Sequence, residues 1–339
     1  MSIADPTVAA GPRKPLWGDD PWPFVVLAVV ALVPLVAIKP TTWLVLTVAG
    51  LAMGMMIFIM ASGLTLVFGL MGVINFGHGA FISLGAFLGA TVLVRMPAWT
   101  GTDSIATNMV AVVPALLFAV LVTGALGWAF ERVIIRPVYD NHLKQILVTI
   151  GGIIVAEQAI HVVWGPDQIA LPRPVGFKGA LGYGDLVFEK YRLLACVLGL
   201  AVFAALHYVL NRTKIGLLIR AGVENGPMVE ALGYRIRLIF VMVFVAGSAL
   251  AGLGGVMWGL NQEVITAGLG MEVMVLVFIV IIIGGLGSVG GCFMGAVLVG
   301  LVANYTGFLA PKVALASNIG LMVAILMWRP QGLFPVIRH

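Results

Sequence analysis

Long apolar runs, separated by short polar or basic segments, fill the chain from residue 24 to residue 328. A membrane-crossing helix needs about 20 mostly apolar residues, within a range of about 17–25. On that measure the pattern predicts an all-α, polytopic membrane helix bundle of about ten spans, at 24–38, 43–62, 63–94, 109–130, 146–164, 193–210, 239–260, 273–283, 290–308 and 313–328. The first and the eighth are short and need flanking residues to cross. The third is interrupted: its apolar run breaks around Asn75, Gly77, His78 and Gly79 and then resumes. Lipid cannot satisfy polar backbone, so such a break belongs where it packs against helices or lines a passage.

A weaker echo of that break follows at 284–297, again a glycine-punctuated interval between apolar runs. Corresponding breaks in two parts of a chain point to a binding region between repeats. Small residues also recur every four positions, at Gly247, Ala251 and Gly255 and at Gly287, Gly291 and Gly295. Such stripes let helix backbones approach closely, within the chain or against a second chain.

Composition carries the same message. Hydrophobic residues make up 61% of the 339 and charged residues 10%, with a mean hydropathy of +1.11. A soluble domain has about 25% charged residues, so lipid is the solvent. The net charge of +5 is spread over short loops and makes no nucleic-acid footprint. Cys196 and Cys292 sit far apart in apolar stretches and read as small buried hydrophobes. Residues 1–23 form a polar arm with Arg13 and Lys14, followed by a retained span rather than a cleaved signal. The remainder, 24–339, reads as one transmembrane domain.

Basic residues in short loops orient the bundle. Arg13, Lys14, Arg132, Arg136, Lys144, Arg212, Lys214, Arg220, Arg235, Arg237, Arg329 and Arg338 fall on one side. Lys39, Arg95, Arg173, Lys178, Lys190, Arg192 and Lys312 fall on the other. The richer side is expected to be cytoplasmic, with both termini on it. The long segment 165–192, with Pro166, Pro172 and Pro174, reads as an irregular external cap.

No catalytic constellation or cofactor motif assembles. The chain has no G-x-x-x-x-G-K-[ST] loop, so it does not bind ATP through that device. His78, His142, His161, His207 and His339 lack the spacing of a metal site. The candidates for the translocation path are intramembrane polar residues. Glu157 lies near the middle of span 146–164 with His161 one turn later, and Asn75 and His78 lie in the break. A carboxylate at that depth costs about 2.5–3.5 kcal/mol to insert and should face the bundle interior with a partner. Glu157 and His161 also allow a second reading, the relay of a proton-coupled secondary transporter.

The basic segment 211–237 holds a short amphipathic stretch from Pro227 to Leu232, stopped by Gly233. Docking to a partner protein or lying on lipid headgroups both suit it.

Four ordered motifs now carry a resemblance: INFGHGAFISLGAF at 74–87, IRAGVENGPMVEALG at 219–233, GGLGSVGGCFMGA at 284–296 and RPQGLFP at 329–335. Together they resemble the permease subunits of bacterial branched-chain amino acid ABC importers, nearer the H-type than the M-type of the usual pair. The resemblance implies an inner-membrane heterodimer with a second homologous permease, two cytoplasmic ATP-binding subunits that hydrolyse ATP, and a periplasmic substrate-binding protein. It implies that Asn225, Glu230, Ala231, Leu232 and Gly233 belong to the loop that couples to the ATPases. Cargo in this family extends to urea, short amides and other small carboxylates.

Overall fold

The computed structural model describes residues 21–139, 141–183 and 186–334. Most of the N-terminal arm, with Arg13 and Lys14, lies outside these residues, as do Arg338 and His339. Among the described residues the chain is an all-α membrane bundle. Its helices are α1 (Trp22–Leu32), α2 (Pro40–Met71), α3 (His78–Val94), α4 (Pro97–Thr100), α5 (Ile105–Phe130), α6 (His142–Trp164) and α7 (Lys190–Arg212). They continue with α8 (Lys214–Glu224), α9 (Gly226–Ala231), α10 (Ile236–Gln262), α11 (Leu269–Gly284), α12 (Val289–Leu309) and α13 (Ala314–Trp328). Six are long and apolar enough to cross a membrane: α2, α5 with its continuation to Val138, α6, α7, α10 and α12. Shorter apolar helices cover Trp22–Val36, His78–Val94, Leu269–Gly284 and Ala316–Trp328.

Two ends can be told apart by contacts. At one, Trp22 meets Trp328 edge to face at 5.5 Å, and Leu66, Ile219, Ile239 and Val243 cluster with Met71 and Val289. This is the basic end, with α8 and α9. At the other, the Trp164 indole donates to Thr91 Oγ1 at 2.8 Å, and two antiparallel ribbons form. There β1 (Ile169–Ala170) pairs with β4 (Val264–Ile265), and β2 (Ala180–Tyr183) pairs with β3 (Leu186–Glu189). The segment expected to be an irregular cap therefore carries this hairpin end.

The expected spans 43–62 and 63–94 are redrawn. Residues 40–71 form one helix, about 48 Å long at 1.5 Å per residue, and the 72–77 break is the connection to α3. Hydrophobic runs do not say where a long apolar stretch reverses direction. Gly63 continues α2 because it faces Gly247 of α10 backbone to backbone, where no side chain would fit. The other small-residue stripes pack within this chain as well: Gly255 lies on the Ile82 carbonyl of α3, Gly287 on Gly69, Gly291 on Gly284, and Gly295 on the Val280 carbonyl of α11. Ala251 is fully buried between them. Cys292 is buried and Cys196 half-buried, and both are free thiols.

Candidate functional site

The break begins where Gly72 closes α2, its N–H donating to the Phe68 carbonyl at 2.9 Å. The Phe76 N–H donates to Thr149 Oγ1 of α6 at 3.2 Å, and the Phe76 ring meets Phe278 of α11 at 5.0 Å. His78 opens α3 and is 1% exposed; its Nε2 donates to the Met60 carbonyl at 2.9 Å. That bond leaves Nδ1 as a buried acceptor without a partner, and neither end of the buried Asn75 amide has one. Each such group costs about 1–3 kcal/mol of desolvation. The break thus packs on α6 and α11 rather than on the 284–291 turn, which meets α2 one turn earlier, at Gly69.

A second polar junction was not legible from sequence. Ser83 Oγ donates to the Ala267 carbonyl and accepts from the Gly270 N–H, each at 2.8 Å. Ser83 stands 11 residues from the end of α3, so α11 starts about 16 Å down that helix. Glu157 reaches this start: its Oε1 is 3.6 Å from where a side chain on Gly268 would begin. Glu157 and His161 are half-buried rather than interior. Among the described residues no hydrogen bond or ion pair joins them, and His161 Nδ1 is unpartnered. The partner expected for Glu157 is not found among the described residues, and its carboxylate lies beside the start of α11 at Gly268. Nothing in the spacing of Ser83 and Gly270, far apart in sequence, could have signalled their pairing.

At the basic end the short helix α9 is fixed at both ends. Asn225 Oδ1 accepts from the Met228 N–H at 3.1 Å, an N-cap. At the other end Gly233 takes φ +88; its N–H donates to the Glu230 carbonyl at 2.9 Å, and the Tyr234 N–H to the Val229 carbonyl at 3.2 Å. This is a Schellman stop, which favours glycine at that position. Val229 and Ile236 are buried beneath it, while Met228, Leu232 and Tyr234 are 62%, 70% and 50% exposed. Glu230 and Ala231 are exposed beside them. Residues 214–224 form α8, capped by Thr213 and anchored by the buried Ile219.

The hairpin end is tied together by Arg173. Its guanidinium pairs with Glu189 at 3.1 Å and Glu263 at 3.2 Å, donates to the carbonyls of Leu260 and Asn261 and lies over the Tyr191 ring at 5.1 Å. Arg173 is thus used inside the fold, while Lys178 is exposed. No group of three or more metal-ligating side chains occurs among the described residues.

A family described as "Branched-chain amino acid transport system / permease component" matches residues 46–327. The chain belongs to this family. It is 29% identical over 291 residues to the high-affinity branched-chain amino acid transport system permease protein BraD of Pseudomonas aeruginosa, covering 84% of this chain and 94% of that one. It is 25% identical over 289 residues to the corresponding permease protein LivH of Escherichia coli strain K12, covering 84% and 92%. A probable permease protein LivM of Methanocaldococcus jannaschii matches at 24% over 315 residues, covering 82% and 90%. No solved structure matches at comparable significance. The α2–α3 break, α9 and the α11–α12 turn all lie inside the matched region of this multi-pass membrane permease.

Proposed function

We propose that this chain is one permease subunit of an ATP-driven importer for branched-chain amino acids or similar small polar solutes, urea and short amides among them. It crosses the inner membrane ten times, the six long helices and four shorter ones together, with both termini and the basic end in the cytoplasm. A second homologous permease, two ATPase subunits and a periplasmic binding protein complete the machine. BraD and LivH are named as branched-chain amino acid permeases, which supports that cargo class.

The observation that carries the ATP-driven reading is α9. A six-residue helix that is capped at both ends and exposes Met228, Leu232 and Tyr234 offers a preformed ridge for a partner to cover. Apolar and aromatic knobs on a rigid helix are what a groove on a soluble subunit accepts. Asn225, Glu230, Ala231 and Gly233 frame it. The solute path runs past Asn75 and His78 and upward between α6 and α11 beside Glu157 and His161. At the break itself, the Asn75 amide and backbone groups give a zwitterion hydrogen bonds without a fixed counter-charge to hold it.

The test is Gly233→Pro and Glu230→Arg in membranes co-expressing candidate ATPases. The reading expects normal insertion, lost co-purification of the ATPases and lost ATP-driven uptake. Unchanged co-purification and uptake in both variants would overturn it.

A further inference from the structure

Three groups converge beside the break. A Cβ placed on Gly77 would lie 2.8 Å from Cζ of Phe130, 3.1 Å from Asn75 Oδ1 and 3.3 Å from the Thr149 carbonyl oxygen. One placed on Gly152 of α6 would lie 2.7 Å from Cε2 of the same ring. Phe130 is the last residue of α5. Its ring therefore fills a slot walled by two glycines, one in the break and one on α6, and neither wall has room for a side chain. Behind it stand two buried aromatics: the ring lies nearly parallel to Phe244 of α10 at 6.1 Å and edge to face with Phe81 of α3 at 5.5 Å. Phe130 is itself half-buried, whereas Asn75 is 1% exposed.

We infer that Phe130 is the gate of the solute path at Asn75: in its slot the ring shuts the amide away from water, and withdrawing it opens the path. Two features mark a movable ring rather than a plain core contact. The residues directly after it, Glu131–Ile135, wind as a π-helical turn. Such a turn carries one extra residue and recurs at functional sites. Passing that extra residue back along the helix, beyond Phe130, turns the ring by about 100° around α5. The second feature is the Asn75 amide, which has no partner at either end while the ring is in place. Water reaching the amide past a withdrawn ring satisfies it, so the shut state carries a penalty that opening relieves. The inference rests on the path assigned above to Asn75 and adds the side chain that closes it.

The test uses the full-length permease in membranes, carrying Asn75→Cys and Cys196→Ala. Native Cys292 stays as a gauge of the fold, because it is fully buried. Labelling by the charged thiol reagent 2-sulfonatoethyl methanethiosulfonate is read at each cysteine by mass spectrometry. With Phe130 in place, position 75 should label slowly. Phe130→Ala should speed it at least tenfold while Cys292 stays unlabelled, and Phe130→Leu should remain near the parent rate. Gly152→Ala, which forces the ring out of its slot, should speed labelling too, and combined with Phe130→Ala it should change nothing further. Unchanged labelling at 75 in Phe130→Ala would overturn the gate, as would labelling that rises only in step with Cys292. Additive rates in the double variant would place Gly152 outside the slot and overturn it as well. None of these readings involves uptake or the ATPases, so failure here is distinguishable from failure of the importer reading, which the α9 variants test.

Discussion

His78 Nε2 donates to the carbonyl of Met60 at 2.9 Å, so the first residue of α3 is locked to α2 eleven residues before that helix ends. The chain must therefore climb back along α2 through residues 72–77 before α3 can start. That climb is the reason Asn75 is buried with an idle amide.

Asn75→Leu separates a path residue from a structural one. Removing an unsatisfied buried amide for an apolar group of similar size should leave the thermal midpoint unchanged or raise stability by about 1 kcal/mol. Uptake should nevertheless fall several-fold. A variant that loses stability and uptake together would return Asn75 to the scaffold.

Ser83→Ala deletes both bonds that hold the start of α11 to α3. It leaves the Gly270 N–H unpaired, at a cost of about 1–3 kcal/mol. Thermal unfolding in detergent should register the loss, and Ser83→Thr should recover part of it. No shift on Ser83→Ala would mean that the junction contributes nothing.

The small-residue stripes make opposite predictions for two glycines. At Gly255 an added Cβ would run into the Ile82 carbonyl of α3, whereas at Gly307 it meets open space. Gly255→Ala should lower stability by about 1–3 kcal/mol, read as reduced yield and an earlier thermal midpoint. Gly307→Ala should behave like the wild type. Equal effects would show that backbone approach at α3–α10 is not limiting.

Leu232→Asp and Met228→Ala target the exposed ridge of α9. Neither side chain supports the fold, so the thermal midpoint should not move. Binding of an ATPase subunit should weaken by at least tenfold, the scale of a hot-spot loss above about 1.4 kcal/mol. Pull-down titration checks this, and undiminished binding would remove the ridge from the interface.

Arg173→Leu should loosen the hairpin end. It leaves Glu189 with only its Arg192 ion pair and removes the counter-charge beside Glu263, the one non-glycine residue with positive φ among those described, at +59°. Limited proteolysis should cut within 178–190 faster than in the wild type, while helix content stays the same. An unchanged cleavage pattern would mean the ion pairs are dispensable.

The sequence by itself determined that the chain lives in lipid, because an apolar excess of this size has no other solvent. It also determined where α9 begins and stops. Pro227 and Gly233 act over a few residues, so a first turn and a stop can be read from their spacing, while the Asn225 cap came from the structure. The family motifs were legible for the same reason: they are contiguous. Only the tertiary structure decided that 40–71 is one helix, since Gly63 is tolerated there by a backbone on α10 that lies far away in sequence. Only it could join Ser83 to Gly270, give Arg173 its two carboxylates and set Glu157 against the start of α11. Each of those pairings depends on where helices of similar apolar character settle against one another, and a hydrophobic pattern that is nearly uniform around each helix carries no record of its neighbours.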